Sequence, residues 1–90
     1  SYLRPKEAYY IFAELLQLQS GKNFLDVACG LGRMLEISAD YGVNNHGIDL
    51  SEVAIVKAKN KLPKAVLLEA NAESIPFNDE HFDYVTCLGS

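Results

Sequence analysis

Residues Phe24 to Arg33, FLDVACGLGR, set an acidic residue inside an apolar strand, run that strand into a Gly-x-Gly turn at Gly30 and Gly32, and open a helix pattern at once. Glycine frees the backbone to take positive φ and removes the Cβ that would stand between main chain and ligand. The helix beyond the turn directs unsatisfied N–H groups, and the positive end of its dipole, above the strand. Such a turn suits the polar end of a nucleotide-like molecule, whether phosphate or carboxylate. Asp49 ends a second short stretch and Asn71 follows a third. An ionised carboxylate accepts two hydrogen bonds at once and so fits a vicinal diol; Asp49 would equally cap the helix that follows, as would Ser51 beside it. Asn71 taken alone reads as an ordinary turn residue.

The elements that position these residues alternate in type. Pro5 suits the first turn of a helix in which Ala8, Ile11, Phe12, Leu15 and Leu16 recur at helical spacing, with Gly21 as its terminator. Strand one spans Phe24 to Ala28. Leu31, Met34, Leu35 and Ser38 form the sheet-facing side of a second helix, and His46 to Asp49 is strand two. Ser51 caps a third helix whose Ala54, Ala58 and Leu62 share a side until Pro63 forbids continuation. Ala65 to Glu69 is nearly all apolar, the pattern of a strand buried on both faces, and after a polar loop with Pro76 the fourth strand spans Phe82 to Leu88. Such alternation predicts a parallel sheet with right-handed crossovers, whose ligands bind beyond the C-terminal strand ends. Gly30 and Gly32, Asp49, Asn71, and Leu88 to Ser90 all fall at those ends.

Composition narrows the function classes. Ninety residues make one small domain, residues 1–90, with residues 1–21 as its N-terminal helix. The formal net charge is −4 and the eight basic residues form no dense cluster, which argues against a nucleic-acid footprint and an anionic-membrane anchor. No apolar run reaches the length of a membrane helix. Cys29 and Cys87 fit neither a disulfide framework nor zinc spacing, so a cytoplasmic location is expected. Cys29 has no histidine near it in sequence and reads as a small turn residue rather than a nucleophile. His46 and His81 read as structural or solvated, and Tyr9 and Tyr10 as core packing.

LDVACGLGR, then GIDLS, then NAESIPFNDEHFDYV, in this order and spacing, resembles the cofactor-binding half of the class I S-adenosylmethionine-dependent methyltransferases of the small-molecule type. The resemblance covers roughly residues 22–90. It implies a Rossmann-like, three-layer α/β/α fold with strand order 3-2-1-4, here truncated after strand four, and S-adenosyl-L-methionine as cofactor, with S-adenosyl-L-homocysteine as product. On that likeness Ala28, Gly30 and Gly32 wrap the methionine end, Asp26 helps hold the amino group, and Asp49 accepts from both ribose hydroxyls. Leu50 contacts adenine, Asn71 and Ala72 read its edge, and Leu88 with Gly89 lies beside the methionine moiety. Arg33 either pairs with the cofactor carboxylate or is solvated. The chain departs from the family at Ala28, where glycine is common, and at Asn71, where aspartate is usual. No catalytic residue is assigned; methyl transfer to a small-molecule acceptor asks mainly for alignment and exclusion of water.

Two other classes compete. Gly30 to Asp49 has about the spacing of the NAD-binding fingerprint, but its third glycine would fall at Leu35, where bulk obstructs close helix–strand packing. A non-catalytic module that associates through an open edge is the other, since Phe82 to Leu88 carries no lysine or proline to blunt a sheet edge, and self-association through strand four is expected.

Overall fold

Pro5 stands just before the first helix, where its fixed φ and missing N–H cost nothing, and α1 then runs Lys6–Leu16. The structure, a computed structural model, describes residues 5–87. Tyr9 and Ala13 of α1 are buried and Phe12 and Leu16 pack beside them, whereas Ile11 and Leu15 are exposed. The buried stripe is therefore rotated from the one read off the sequence, and it takes in Tyr9 but leaves Tyr10 in solvent. Gly21 does not end this helix. The chain turns out at Gln17, which takes φ +54°, because Leu18 then folds back into the core. Tyr84 fastens this connection from across the molecule: its hydroxyl donates to the Gln17 carbonyl at 3.2 Å and accepts from the Gln19 N–H at 3.1 Å.

Strand β1, Asn23–Val27, leads through the glycine turn into helix α2, Arg33–Ala39. Leu31 lies outside α2 and is exposed; Met34, Leu35, Ile37 and Ser38 make the buried face. Strand β2 is Asn44–Asp49 and helix α3 is Glu52–Lys61. As its type suggests, the Ser51 hydroxyl accepts from the Ala54 N–H at 3.1 Å, and the helix stops before Pro63. Strands β3, Val66–Glu69, and β4, Tyr84–Thr86, are separated by two single 3-10 turns at Ala72–Ser74 and Asp79–His81.

The four strands form one parallel sheet in the order β3-β2-β1-β4. This is the Rossmann-like topology expected. Register pairs Val27 with Ile48, Asp49 with Glu69, and Asp26 with Thr86, so these residues share the C-terminal edge. All three helices contribute to one core on one face, where Ala13, Leu35, Ile55 and Ala58 meet Phe24 and Leu67. The opposite face carries Leu25, Val27 and Ile48, covered by Ala70, Phe77 and Phe82 from around the β3–β4 connection. That cover reaches the centre of the sheet only. β3 is thus not buried on both faces: Val66 and Leu68 remain 44% and 38% exposed, and only Leu67 is enclosed.

Gly47 explains how β2 accepts α2 so closely. A Cβ there would come within 2.8 Å of the Cys29 sulfur and 2.9 Å of both Leu35 and Leu67. His46, next to it, is buried against the rings of Phe77, Phe82 and His81. Its Nδ1 faces two carbonyls, of Asn44 at 3.0 Å and Phe24 at 3.3 Å, and carbonyls only accept, so Nδ1 bears the hydrogen. His46 is a structural residue that holds the β3–β4 loop on the sheet.

Candidate functional site

The glycine turn crosses the C-terminal edge of β1 and β2. Ala28, Gly30 and Gly32 all take positive φ, at +63°, +55° and +85°. For the two glycines this is an unstrained choice; for Ala28 it is not. A Cβ on Gly32 would come within 2.8 Å of the Leu62 methyl, which would have to shift, and the φ of +85° there disfavours a side chain in any case. A Cβ on Gly30 would meet nothing within 4 Å, so the main chain there borders open space in which a ligand can lie against it. Backbone bonds from Cys29 N–H to the Ile48 carbonyl, 2.8 Å, and from Gly32 N–H to the Cys29 carbonyl, 2.9 Å, hold the turn.

Asp49 bridges two loops. One carboxylate oxygen accepts from the Gly30 N–H at 2.8 Å and the other from the Ser51 N–H at 2.9 Å. The carboxylate thus steadies the entry to α3 and ties it to the glycine turn. Each carboxylate oxygen retains a further acceptor site. Asp26 is 2% exposed, and its Oδ1 accepts from the Thr86 hydroxyl at 2.8 Å. Thr86 escaped the sequence reading. The signal for it was indirect: a buried carboxylate in a central strand requires a donor, and a neighbouring parallel strand is where one can stand.

Two negative charges therefore flank the turn, and Cys29 registers them. Its thiol is pushed up to about 12 by burial first, and then by the charges of Asp26 and Asp49. A thiol so disposed stays protonated at neutral pH and is no nucleophile. Asn71 uses its Oδ1 to accept from the Glu73 N–H at 2.9 Å, which caps the 3-10 turn begun by Ala72; both residues are exposed beside the end of β3. Leu50 is 69% exposed directly after Asp49. Arg33 is exposed at the start of α2, where it lines a groove of about 520 Å³ with Lys6, Tyr10 and Leu31. Leu88 and Gly89 lie outside the described residues. A larger cavity, about 840 Å³, opens at the other end of the sheet beside Asn44, His46, Lys64 and His81, away from these groups. Among the described residues no cluster of three or more His, Cys, Asp or Glu side chains is arranged to hold a metal ion. No helix among them is long and apolar enough to cross a membrane.

Comparison with known proteins decides the family. The methyltransferase domain model matches residues 25–90. The chain belongs to this methyltransferase domain family. The methyltransferase domain is 35% identical over 81 residues to the demethylmenaquinone methyltransferase of Listeria welshimeri, and 38% identical over 77 residues to the ubiquinone biosynthesis O-methyltransferase of Pseudomonas fluorescens. These alignments take in 81% and 77% of the chain but 34% and 32% of the relatives, so the chain spans about a third of their length. Among solved structures it resembles an S-adenosylmethionine-dependent methyltransferase from Thiobacillus denitrificans in complex with S-adenosyl-L-homocysteine, with a TM-score of 0.79 at 28% identity, over 93% of this chain and 36% of that one. The methyltransferase match begins at β1 and takes in the glycine turn, Asp49 and Asn71.

Proposed function

We propose that this chain is the S-adenosylmethionine-binding unit of a methyltransferase acting on a small-molecule acceptor, as its quinone-methylating relatives are named to do. The observation that carries the reading is the convergence of Asp26 and Asp49 on the glycine turn. A pyrophosphate brought beside Asp26 would be repelled, whereas a ligand with an ammonium group is attracted there; Asp49 suits the ribose of either class and disfavours only a 2′-phosphate. NAD is disfavoured on a second ground: Leu35 fills the position of the dinucleotide pattern's third glycine and is fully buried.

When bound, S-adenosylmethionine supplies an electrophilic methyl group on sulfur. The roles of the protein are to bind and align. The two acceptor sites left on the Asp49 carboxylate match the two ribose hydroxyls, one per oxygen. Leu50 covers a face of adenine. Asn71 Oδ1, with one lone pair already given to Glu73, takes the adenine amino group on the other, and the Ala72 N–H reads the ring nitrogen beside it. Asp26 receives the ammonium, directly or through water; Ala28, Gly30 and Gly32 lie along the methionine chain. Arg33 and Leu88 complete that end on the family likeness alone. The free thiols of Cys29 and Cys87 suit a reducing cytoplasm.

Calorimetric titration with S-adenosylmethionine, S-adenosylhomocysteine and NAD side by side tests the reading. The two sulfur ligands are expected to bind and NAD not to. Asp49→Ala is expected to weaken the sulfur ligands by about 1.5–3 kcal/mol, the range for hydrogen bonds to a charged group. Binding of NAD alone would overturn the proposal, and unchanged affinity in a folded Asp49→Ala chain would remove Asp49 from the ribose site.

A further inference from the structure

Asp26 is a carboxylate almost wholly inside the protein, on the penultimate position of β1. Burial of an ionised group is tolerated only when hydrogen bonds replace its water, and those bonds also decide which way the group faces. The Thr86 hydroxyl supplies one at 2.8 Å. Register places Thr86 directly opposite Asp26 on the adjacent strand β4, so the donor is delivered by the sheet itself rather than by a mobile loop. Thr86 is β-branched, which leaves its χ1 few choices within a strand, and the hydroxyl is held accordingly.

We propose that Thr86 is a positioning residue for the cofactor: it fixes the Asp26 carboxylate in the orientation that receives the ligand's ammonium group. The inference rests on the cofactor reading above and goes beyond it, since Thr86 touches no part of the ligand. Asp26 can accept both bonds, because a carboxylate offers about four lone-pair sites. Without the hydroxyl the carboxylate gains rotational freedom and loses a buried donor, and the ammonium meets a less organised acceptor. The effect is confined to the amino-acid end of the cofactor. Ribose and adenine, held by Asp49 and the segment after β3, do not sense it.

That confinement supplies the test. Thr86→Val keeps the shape and strand preference of the side chain and removes only the hydroxyl; Thr86→Ser restores it. Each variant, checked for a native unfolding transition, is titrated with S-adenosylhomocysteine and with 5′-methylthioadenosine, which has the adenosine and sulfur but no amino-acid end. For Thr86→Val the expected result is a loss of about tenfold toward S-adenosylhomocysteine, the scale of one hydrogen bond to a charged group, with methylthioadenosine unchanged. Thr86→Ser should recover most of the loss. Equal losses for both ligands would mark Thr86 as merely structural and overturn the proposal, as would undiminished binding of S-adenosylhomocysteine. If the parent chain binds neither ligand, the cofactor reading falls and the role of Thr86 falls with it.

Discussion

Ala28 holds φ at +63° with a Cβ attached, a conformation that costs an L-residue roughly 1–2 kcal/mol. Glycine would remove this strain but add backbone freedom to the unfolded chain, worth up to about 1 kcal/mol. The strain is the larger, so Ala28→Gly is expected to stabilise the fold by about 0.5–1 kcal/mol net. Denaturant unfolding checks this, and an unchanged midpoint would mean that the turn relaxes around alanine. The departure at Ala28 was legible in the sequence, but its meaning was not. The type of residue marked only a departure from the usual glycine; the backbone angle shows what that departure costs the main chain. Asp49 was legible too, though as a choice between helix cap and ligand holder. Its two bonds, to Gly30 and Ser51, show a third role that residue type did not reveal, the joining of the glycine turn to the entry of α3.

At the scale of elements, the close approach of α2 to the sheet was expected to suffer at Leu35, and the structure resolves it on the strand instead. Gly47 vacates the space that Leu35, Cys29 and Leu67 occupy. Gly47→Ala would insert a methyl into contacts of 2.8–2.9 Å. Such overpacking is expected to cost about 1–3 kcal/mol. Shortening the partner should relieve it, so Gly47→Ala with Leu35→Ala should lose less than the sum of the two single changes, as neighbours in contact do. Strict additivity in a thermal or denaturant series would refute the packing account. A lone glycine in a six-residue strand carries little information by itself. What it makes room for comes from a helix and another strand, so only tertiary contact reveals it.

For the whole molecule, the consequence is an uneven sheet. Among the described residues β4 pairs with β1 alone, and Val85 stands 55% exposed on the face opposite the helices. An outer edge with unpaired N–H and C=O groups beside an apolar side chain invites a second copy. The chain is expected to self-associate through β4, and Val85→Lys to reduce this by placing a charge there. Light scattering over a concentration series decides it: a clean monomer of the parent chain at high micromolar concentration would show that this edge is covered. Val85 belongs to neither core cluster, so the substitution is expected to leave the fold intact.

The sequence by itself determined the alternation of strands and helices, the parallel sheet that alternation implies, the glycine turn, the cap at Ser51 and the stop at Pro63. Each follows from residue type and local spacing, because period, φ preference and missing donors act within a few residues of where they are written. The tertiary structure alone decided where α1 leaves its helix, since Gln17 takes positive φ to let Leu18 reach the core and Tyr84 bind the turn. It also decided that β3 is half-exposed, because burial depends on what stands over a strand and not on how apolar the strand is. Above all it brought Thr86 to Asp26. Sixty positions separate them, and only the pairing of β4 with β1, a register set by the whole sheet, makes one the partner of the other.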